Sequence, residues 1–149
     1  MASVVIDDHL LRDVLTGVRS PDLGGAGAQG VATTGLWLFR LCSAFADPAV
    51  AGKLSSPVAG LPADAQARFR SRLVALPQEI EIPAMRELSW LMAELQVRHK
   101  TQGRALSAAM VEALAAAHHL NASIAVSIHD VGSNLRAAAE ADGIDFRML

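Results

Sequence analysis

The stretch VVIDDHLL, residues 4–11, decides how this chain can fold. A short apolar run ends in Asp7 and Asp8, and we interpret residues 3–6 as a short buried strand. Apolar residues at helical spacing begin directly behind the two acids and predict a helix that ends near Gly17; they are Leu10, Leu11, Val14, Leu15 and Val18. Two acids at a strand tip are suited to holding a metal ion, but for Asp8 we favour the role of N-cap of the helix over that of a metal ligand.

The rest of the chain alternates helical patterns with a few strand-like runs. ASIAVSI predicts a second buried strand, IDFRML a last strand, and the segment between Pro77 and Pro83 an extended edge. Helices are predicted over TTGLWLFRLCSAF and at about 63–75, 83–100, 105–119 and 133–141, with loops over 19–32 and 47–62. TTGLWLFRLCSAF is apolar almost all round, so we expect this helix to be buried. Strands separated by helices imply a parallel sheet. The predicted fold class is therefore α/β, a single domain over residues 1–149 with a central parallel sheet flanked by helices.

Composition narrows the function classes. The chain has 149 residues, of which 52% are apolar and 19% charged, as expected for one globular domain. A net charge of −2 and an aromatic content of 4% give no bulk attraction to nucleic acid or anionic membranes and no base-stacking platform. The single Cys42 excludes an internal disulfide. The sequence shows neither a signal peptide nor an apolar run of membrane-spanning length, so we expect a cytoplasmic protein with no membrane contact.

Acidic residues follow two of the predicted strands. Asp7 and Asp8 follow the first strand, while His129 and Asp130 follow ASIAVSI. Functional residues of parallel α/β sheets collect at the carboxyl ends of the strands, so these side chains are candidate neighbours. Here the sequence resembles the PIN-domain family of small α/β nucleases, many of which are toxins of toxin–antitoxin pairs. VVIDDHLL resembles the family's opening, and residues 99–149 resemble its closing helix–strand–helix–strand unit.

The resemblance implies three or four carboxylates around Mg²⁺ or Mn²⁺, since hard cations prefer oxygen ligands. Asp7 matches the first family acid. The place of the second, on the helix TTGLWLFRL, holds Arg40 instead. The third falls on Met110 or Glu112, depending on register, and a helical wheel puts Met110 on the apolar stripe and Glu112 off it. The fourth acid falls on Asp130 or has no counterpart in this chain.

Three functional hypotheses follow. In the first, the PIN-like catalytic site is degenerate: Arg40 neutralises Asp7 or Asp8 in place of a metal, and the chain binds RNA or an antitoxin-like protein. If that ion pair is buried, Arg40→Glu would cost about 3–5 kcal/mol of stability. In the second, the chain is an active Mg²⁺- or Mn²⁺-dependent endoribonuclease with Asp7, Glu112 and Asp130 as catalytic residues and Asp8 as a further metal ligand. In the third, it is a non-catalytic homodimeric scaffold, since PIN-like relatives commonly dimerise.

Other features have simpler interpretations. GAGAQG spells a dinucleotide-binding pattern at Gly25, Gly27 and Gly30, but it follows a loop rather than a strand, so no cofactor site is expected. Two basic sets can face RNA or form solvated helix surfaces: Arg68, Arg70 and Arg72, and Arg98, His99, Lys100 and Arg104. Trp90 lies off the main apolar stripe of its helix, and an exposed tryptophan would indicate a partner or dimer interface.

Overall fold

The computed structural model describes residues 3–21, 23, 30–47, 49, 52–129 and 133–149. Within these ranges five parallel strands form one sheet in the order β3-β2-β1-β4-β5. The strands are β1 (Ser3–Ile6), β2 (Gly30–Ala32), β3 (Ile80–Glu81), β4 (Ser123–Val126) and β5 (Phe146–Met148). The predicted α/β class, with a central parallel sheet flanked by helices, is confirmed, and the arrangement is consistent with a PIN-like type of domain.

Helices connect the strands and cover the sheet. They are α1 (Asp8–Thr16), α2 (Gly35–Ala46), α3 (Ser56–Ala59), α4 (Ala63–Val74), α5 (Met85–Thr101), α6 (Ala108–Leu120) and α7 (Ser133–Ala141). Gly17, Gly103 and Gly143 have positive φ angles just beyond α1, α5 and α7, a conformation that glycine adopts at low cost. Among the helices in the described part of the chain, none is both long enough and apolar enough to span a membrane.

The sheet separates two apolar cores because successive strand side chains point to opposite faces. Val4 and Ile6 pack with α1 and α4 on one face, while Val5 packs with α5, α6 and α7 on the other. Helix α2 lies at the boundary, since its Trp37 joins the second core and its Leu41 the first. This position holds α2 against both α1 and α6.

Two expectations about local structure were wrong. The predicted loop over 19–32 ends in strand β2, whose three residues are too few to show a period-2 pattern. Helix α2 is not buried all round: only Trp37 and Leu41 are buried, and Phe39 is 66% exposed. Arg40 therefore lies on a helix face that reaches solvent.

The strand order reverses between β1 and β4. The chain builds β2 and β3 to one side of β1 and then crosses to place β4 on the other side. In open α/β sheets, ligands bind where the strand order reverses, at the carboxyl ends. The residues that follow β1, β2 and β4 meet at this edge of the sheet, and they begin with Asp7, Thr33 and Ser127.

Candidate functional site

Asp7 is fully buried at the end of β1 and joins three elements. Its Oδ1 accepts a hydrogen bond of 2.9 Å from the backbone N–H of Leu10, which caps α1. Its Oδ2 accepts a second bond of 2.9 Å from the backbone N–H of Ser127, just after β4. The expectation that Asp8 caps the helix was therefore wrong, since Asp7 is the cap and Asp8 is the first helical residue. Through these two hydrogen bonds Asp7 connects the end of β4 to the start of α1.

Asp8 is also fully buried and lies against a cation. Its Oδ1 accepts a 3.0 Å bond from the N–H of His9, and its Oδ2 lies 3.2 Å from Nε of Arg40 on α2. The Arg40 side chain is 50% exposed, so the ion pair joins a fully buried acid to a cation that is partly in contact with solvent. The sequence analysis named Asp7 or Asp8 as the acid that Arg40 would neutralise, and the ion pair forms with Asp8.

Glu112 of α6 is 1% exposed and caps a different helix. Its Oε1 accepts from the N–H of Gly35 at 3.2 Å, and its Oε2 accepts from the N–H of Leu36 at 2.8 Å. A Cβ on residue 35 would lie 3.3 Å from Oε1, so glycine allows this close approach. Thr34 completes the cap, because its hydroxyl accepts from the N–H of Trp37.

The burial of Glu112 was not expected from the helical wheel. Helix α6 is buried at every position from 111 to 117, so it has no solvent-facing side there, whereas Met110 is only half-buried. Of the two candidate positions Glu112 is therefore the buried one, and its neighbours are the N–H groups of α2.

Thr33 is a further polar residue of this edge, and sequence reasoning did not select it. It is fully buried, and its hydroxyl donates a 2.8 Å hydrogen bond to the carbonyl of Ile6 at the end of β1. Its backbone N–H donates to the carbonyl of Glu81 at the end of β3. Thr33 thus fixes the ends of β1, β2 and β3 relative to one another. The signal available in the sequence was a threonine directly after the short apolar run of Val31 and Ala32.

Two other predicted features lie partly or wholly outside the described residues. Asp130 is one of these, as are Gly25 and Gly27, while Gly30 is the first residue of β2. His129 is exposed, and its ring centroid lies 6.2 Å from that of the buried His9.

The described carboxylates of the metal site that the resemblance implies have partners within the protein. Both oxygens of Asp7 and both oxygens of Glu112 accept backbone N–H groups, and Asp8 faces a guanidinium. Within the described ranges, no three His, Cys, Asp or Glu side chains are grouped so that they could share a metal ion. The N-termini of α1 and α2 add partial positive charge beside these carboxylates. The protein itself therefore supplies N–H donors to Asp7 and Glu112 and a guanidinium to Asp8.

The space beside Arg40 is small. A cavity of about 40 Å³ is lined by α2, the start of α6, β4 and α7, with Trp37, Met110 and Leu135 among its walls. A volume of this size holds a water molecule or two, whereas small-molecule pockets occupy about 300–1,000 Å³.

A further carboxylate, Asp142, whose side chain is 7% exposed, lies just beyond α7 and was not selected from the sequence. Arg98 Nη2 of α5 lies 2.7 Å from each of its oxygens, and Nε2 of His118 on α6 lies 2.7 Å from Oδ2. His99 Nε2 of α5 is 3.3 Å from the same oxygen, and His99 Nδ1 accepts from Nε of Arg104. Burial raises the pKa of Asp142, but the hydrogen bonds of His118 and His99 and the charge of Arg98 outweigh it, so the pKa lies below its usual value.

No protein-family model and no curated protein sequence matches this chain.

Proposed function

We propose that this chain is a metal-independent, non-catalytic binding module of PIN-like type that acts on a protein partner. The observation that carries the proposal is the ion pair between Arg40 and the buried Asp8. A guanidinium at this position supplies the positive charge that a metal would otherwise give to the acids, and its planar fork suits it to a carboxylate. Asp7 and Glu112 then serve as helix caps.

The contacts that several arginines make within the chain favour a protein partner over RNA. Arg68 pairs with Asp64 at 2.9 Å, and Arg72 donates to the carbonyl of Leu15. Arg98 and Arg104 are engaged in the Asp142 cluster. Phosphate binding depends on available basic side chains, and four of the arginines in these two basic sets already hold partners within the chain. An antitoxin-like protein, met in the cytoplasm, remains one candidate partner.

The alternative is an active Mg²⁺- or Mn²⁺-dependent endoribonuclease that uses Asp7, Glu112 and Asp130. The observation that favours it is the gathering of buried carboxylates, including Asp8, at the carboxyl edge of the sheet where the strand order reverses.

Cleavage and binding assays on labelled single-stranded RNA separate the two functions. We expect no cleavage with Mn²⁺ or Mg²⁺ and no salt-sensitive binding in EDTA between low and physiological salt. Asp7→Asn tests the site, and Asp64→Asn, which changes an exposed acid, is the matched control. Cleavage by the wild type and by Asp64→Asn that disappears in EDTA and in Asp7→Asn would establish the nuclease and overturn the proposal.

A further inference from the structure

Helix α5 has a second apolar stripe on the side away from the core. Its inner side carries Leu88 and Leu95, which are buried. Its outer side carries Trp90 and Val97, which are 77% and 66% exposed, with Ala93 between them. An amphipathic surface helix normally presents polar residues on that side. The outer stripe is therefore exposed to solvent and belongs to neither of the two apolar cores.

The spacing of the outer stripe identifies the kind of element that would cover it. Positions Arg86, Trp90, Ala93, Val97 and Lys100 are separated by four, three, four and three residues. This is the spacing of the seam residues in a coiled coil, whose side chains insert between those of a second helix. We call these five positions the outer seam. A helix, rather than a strand or a loop, fits this pattern.

The indole of Trp90 is already held in place. Its Nε1–H donates a 2.8 Å hydrogen bond to Oε1 of Glu94, one turn further along α5. A tryptophan fixed before binding loses less conformational entropy when a partner covers it.

The charges beside the outer seam disfavour a second copy of α5 as the occupant. Glu87 and Glu94 flank the seam on one side, and Oε2 of Glu87 also lies 3.9 Å from Nε2 of His119 on α6. In an antiparallel pair of α5 helices, flanking residues on the same side meet, so the acids of one copy would face the acids of the other. In a parallel pair, Arg86 would face Arg86 and Lys100 would face Lys100. Both arrangements place like charges together, whereas a helix with basic flanking residues would complement the two acids.

We propose that the outer seam of α5 docks an amphipathic helix of another protein, with apolar seam residues and lysine or arginine beside them. The inference rests on the proposed function, because it assumes that the chain acts by binding a protein. The seam extends about 20 Å along α5, at 1.5 Å per residue, so it accommodates about two heptads of the partner.

Two synthetic helical peptides test the proposal. Both have about three heptads with leucine and isoleucine in the seam; one carries lysine and the other glutamate at the flanking positions. Anisotropy of the labelled peptides should show that the full chain binds the basic peptide at least about tenfold more tightly than the acidic one. Trp90→Ala should weaken that binding about tenfold or more. The double variant Glu87→Lys, Glu94→Lys should reverse the preference.

Phe39→Ala is the matched control, because Phe39 is an equally exposed aromatic residue on a different helix. It should leave peptide binding unchanged. Equal binding of the two peptides, or an equal loss in Phe39→Ala and Trp90→Ala, would overturn the proposal. A dimer in sedimentation velocity that Trp90→Ala dissociates would also overturn it and assign the seam to a second copy. These failures leave the metal-independent site intact, whereas metal-dependent RNA cleavage would refute the proposed function without altering peptide preference.

Discussion

The chain buries acids at opposite kinds of helix end. Asp7 and Glu112 lie at the N-termini of α1 and α2, whose N–H groups donate to three of their four carboxylate oxygens, while the N–H of Ser127 after β4 donates to the fourth. Asp142 lies where α5, α6 and α7 end, and its donors are the side chains of Arg98, His99 and His118. The difference follows from the helices themselves, because an N-terminus presents unpaired N–H groups and a C-terminus presents carbonyl oxygens.

The acids at the two kinds of helix end are therefore stabilised by different parts of the chain. An acid at a helix N-terminus is stabilised by the backbone, so few side-chain changes elsewhere would disturb it. An acid at a helix C-terminus depends on cations that the sequence must supply. Asp8 is intermediate, because it lies in the first turn of α1 and also faces Arg40. The predictions below test this distinction.

The largest effect is expected at Asp7. Asp7→Asn should lower the free energy of unfolding by about 2–4 kcal/mol, because an amide offers one oxygen to two buried N–H donors and turns its NH₂ toward the other. Urea unfolding followed by circular dichroism measures the change. Asp64→Asn alters an exposed ion pair and should have little effect. If Asp7→Asn had the same free energy of unfolding as the wild type, this would contradict the claim that the backbone N–H groups stabilise the Asp7 carboxylate.

Asp142→Asn should cost less, about 2 kcal/mol at neutral pH, since the amide keeps one acceptor but loses the negative charge. The pKa of Asp142 is lowered by folding, so its contribution is fully present above the unfolded value of about 3.9 and is lost as the pH falls through the folded value. Unfolding measured from pH 7 to pH 3 should therefore show wild type and variant converging in acid. A stability difference between wild type and Asp142→Asn that grows as the pH falls would contradict the claim that folding stabilises the charged form of Asp142.

Arg40→Gln should destabilise the chain by about 1–2 kcal/mol, because it leaves the buried charge of Asp8 without its cation. This is below the scale of about 3–5 kcal/mol for a fully buried pair, since Arg40 keeps half of its side chain in water.

Arg136→Gln is the matched control for Arg40→Gln, because it removes an exposed pair with Glu140 on α7. It should have little effect on urea unfolding. Equal losses in the two variants would mean that the pair with Asp8 is an ordinary surface contact.

The smallest change is expected at Thr34, the N-cap of α2. Thr34→Ala should cost about 1 kcal/mol, because the N–H of Trp37 loses its acceptor while Glu112 still holds the N–H groups of Gly35 and Leu36. Thr34→Ser restores the hydroxyl and should recover most of the loss in thermal unfolding. A loss of the size expected for Asp7→Asn would show that the two caps of α2 are not independent.

Local signals in the sequence predicted much of the fold. The apolar run before Asp7, the run ASIAVSI and the apolar residues of α1 were sufficient to place β1, β4 and the first helix. The sequence also placed Ile80 in an edge strand, which the sheet order confirms. Strand β2 was missed, because three residues after a glycine-rich stretch carry no periodic pattern.

Long-range partners explain what the sequence could not show about the site. The N–H groups that bury Glu112 lie 76 and 77 residues away in the chain. The partners of Asp142 lie 24 to 44 residues away, on two other helices. A helical wheel describes one helix and contains no information about such neighbours. The sequence left Asp7 and Asp8 as alternative partners of Arg40, because the choice of Asp8 depends on how α1 and α2 pack.

Titration of the EDTA-stripped wild-type chain with Mn²⁺ in a calorimeter tests the central claim most directly. If backbone N–H groups and Arg40 hold the acids at the strand ends, the titration should show no saturable heat up to low-millimolar Mn²⁺. Saturable binding in that range, lost in a folded Asp7→Asn variant, would contradict the account and make these carboxylates metal ligands.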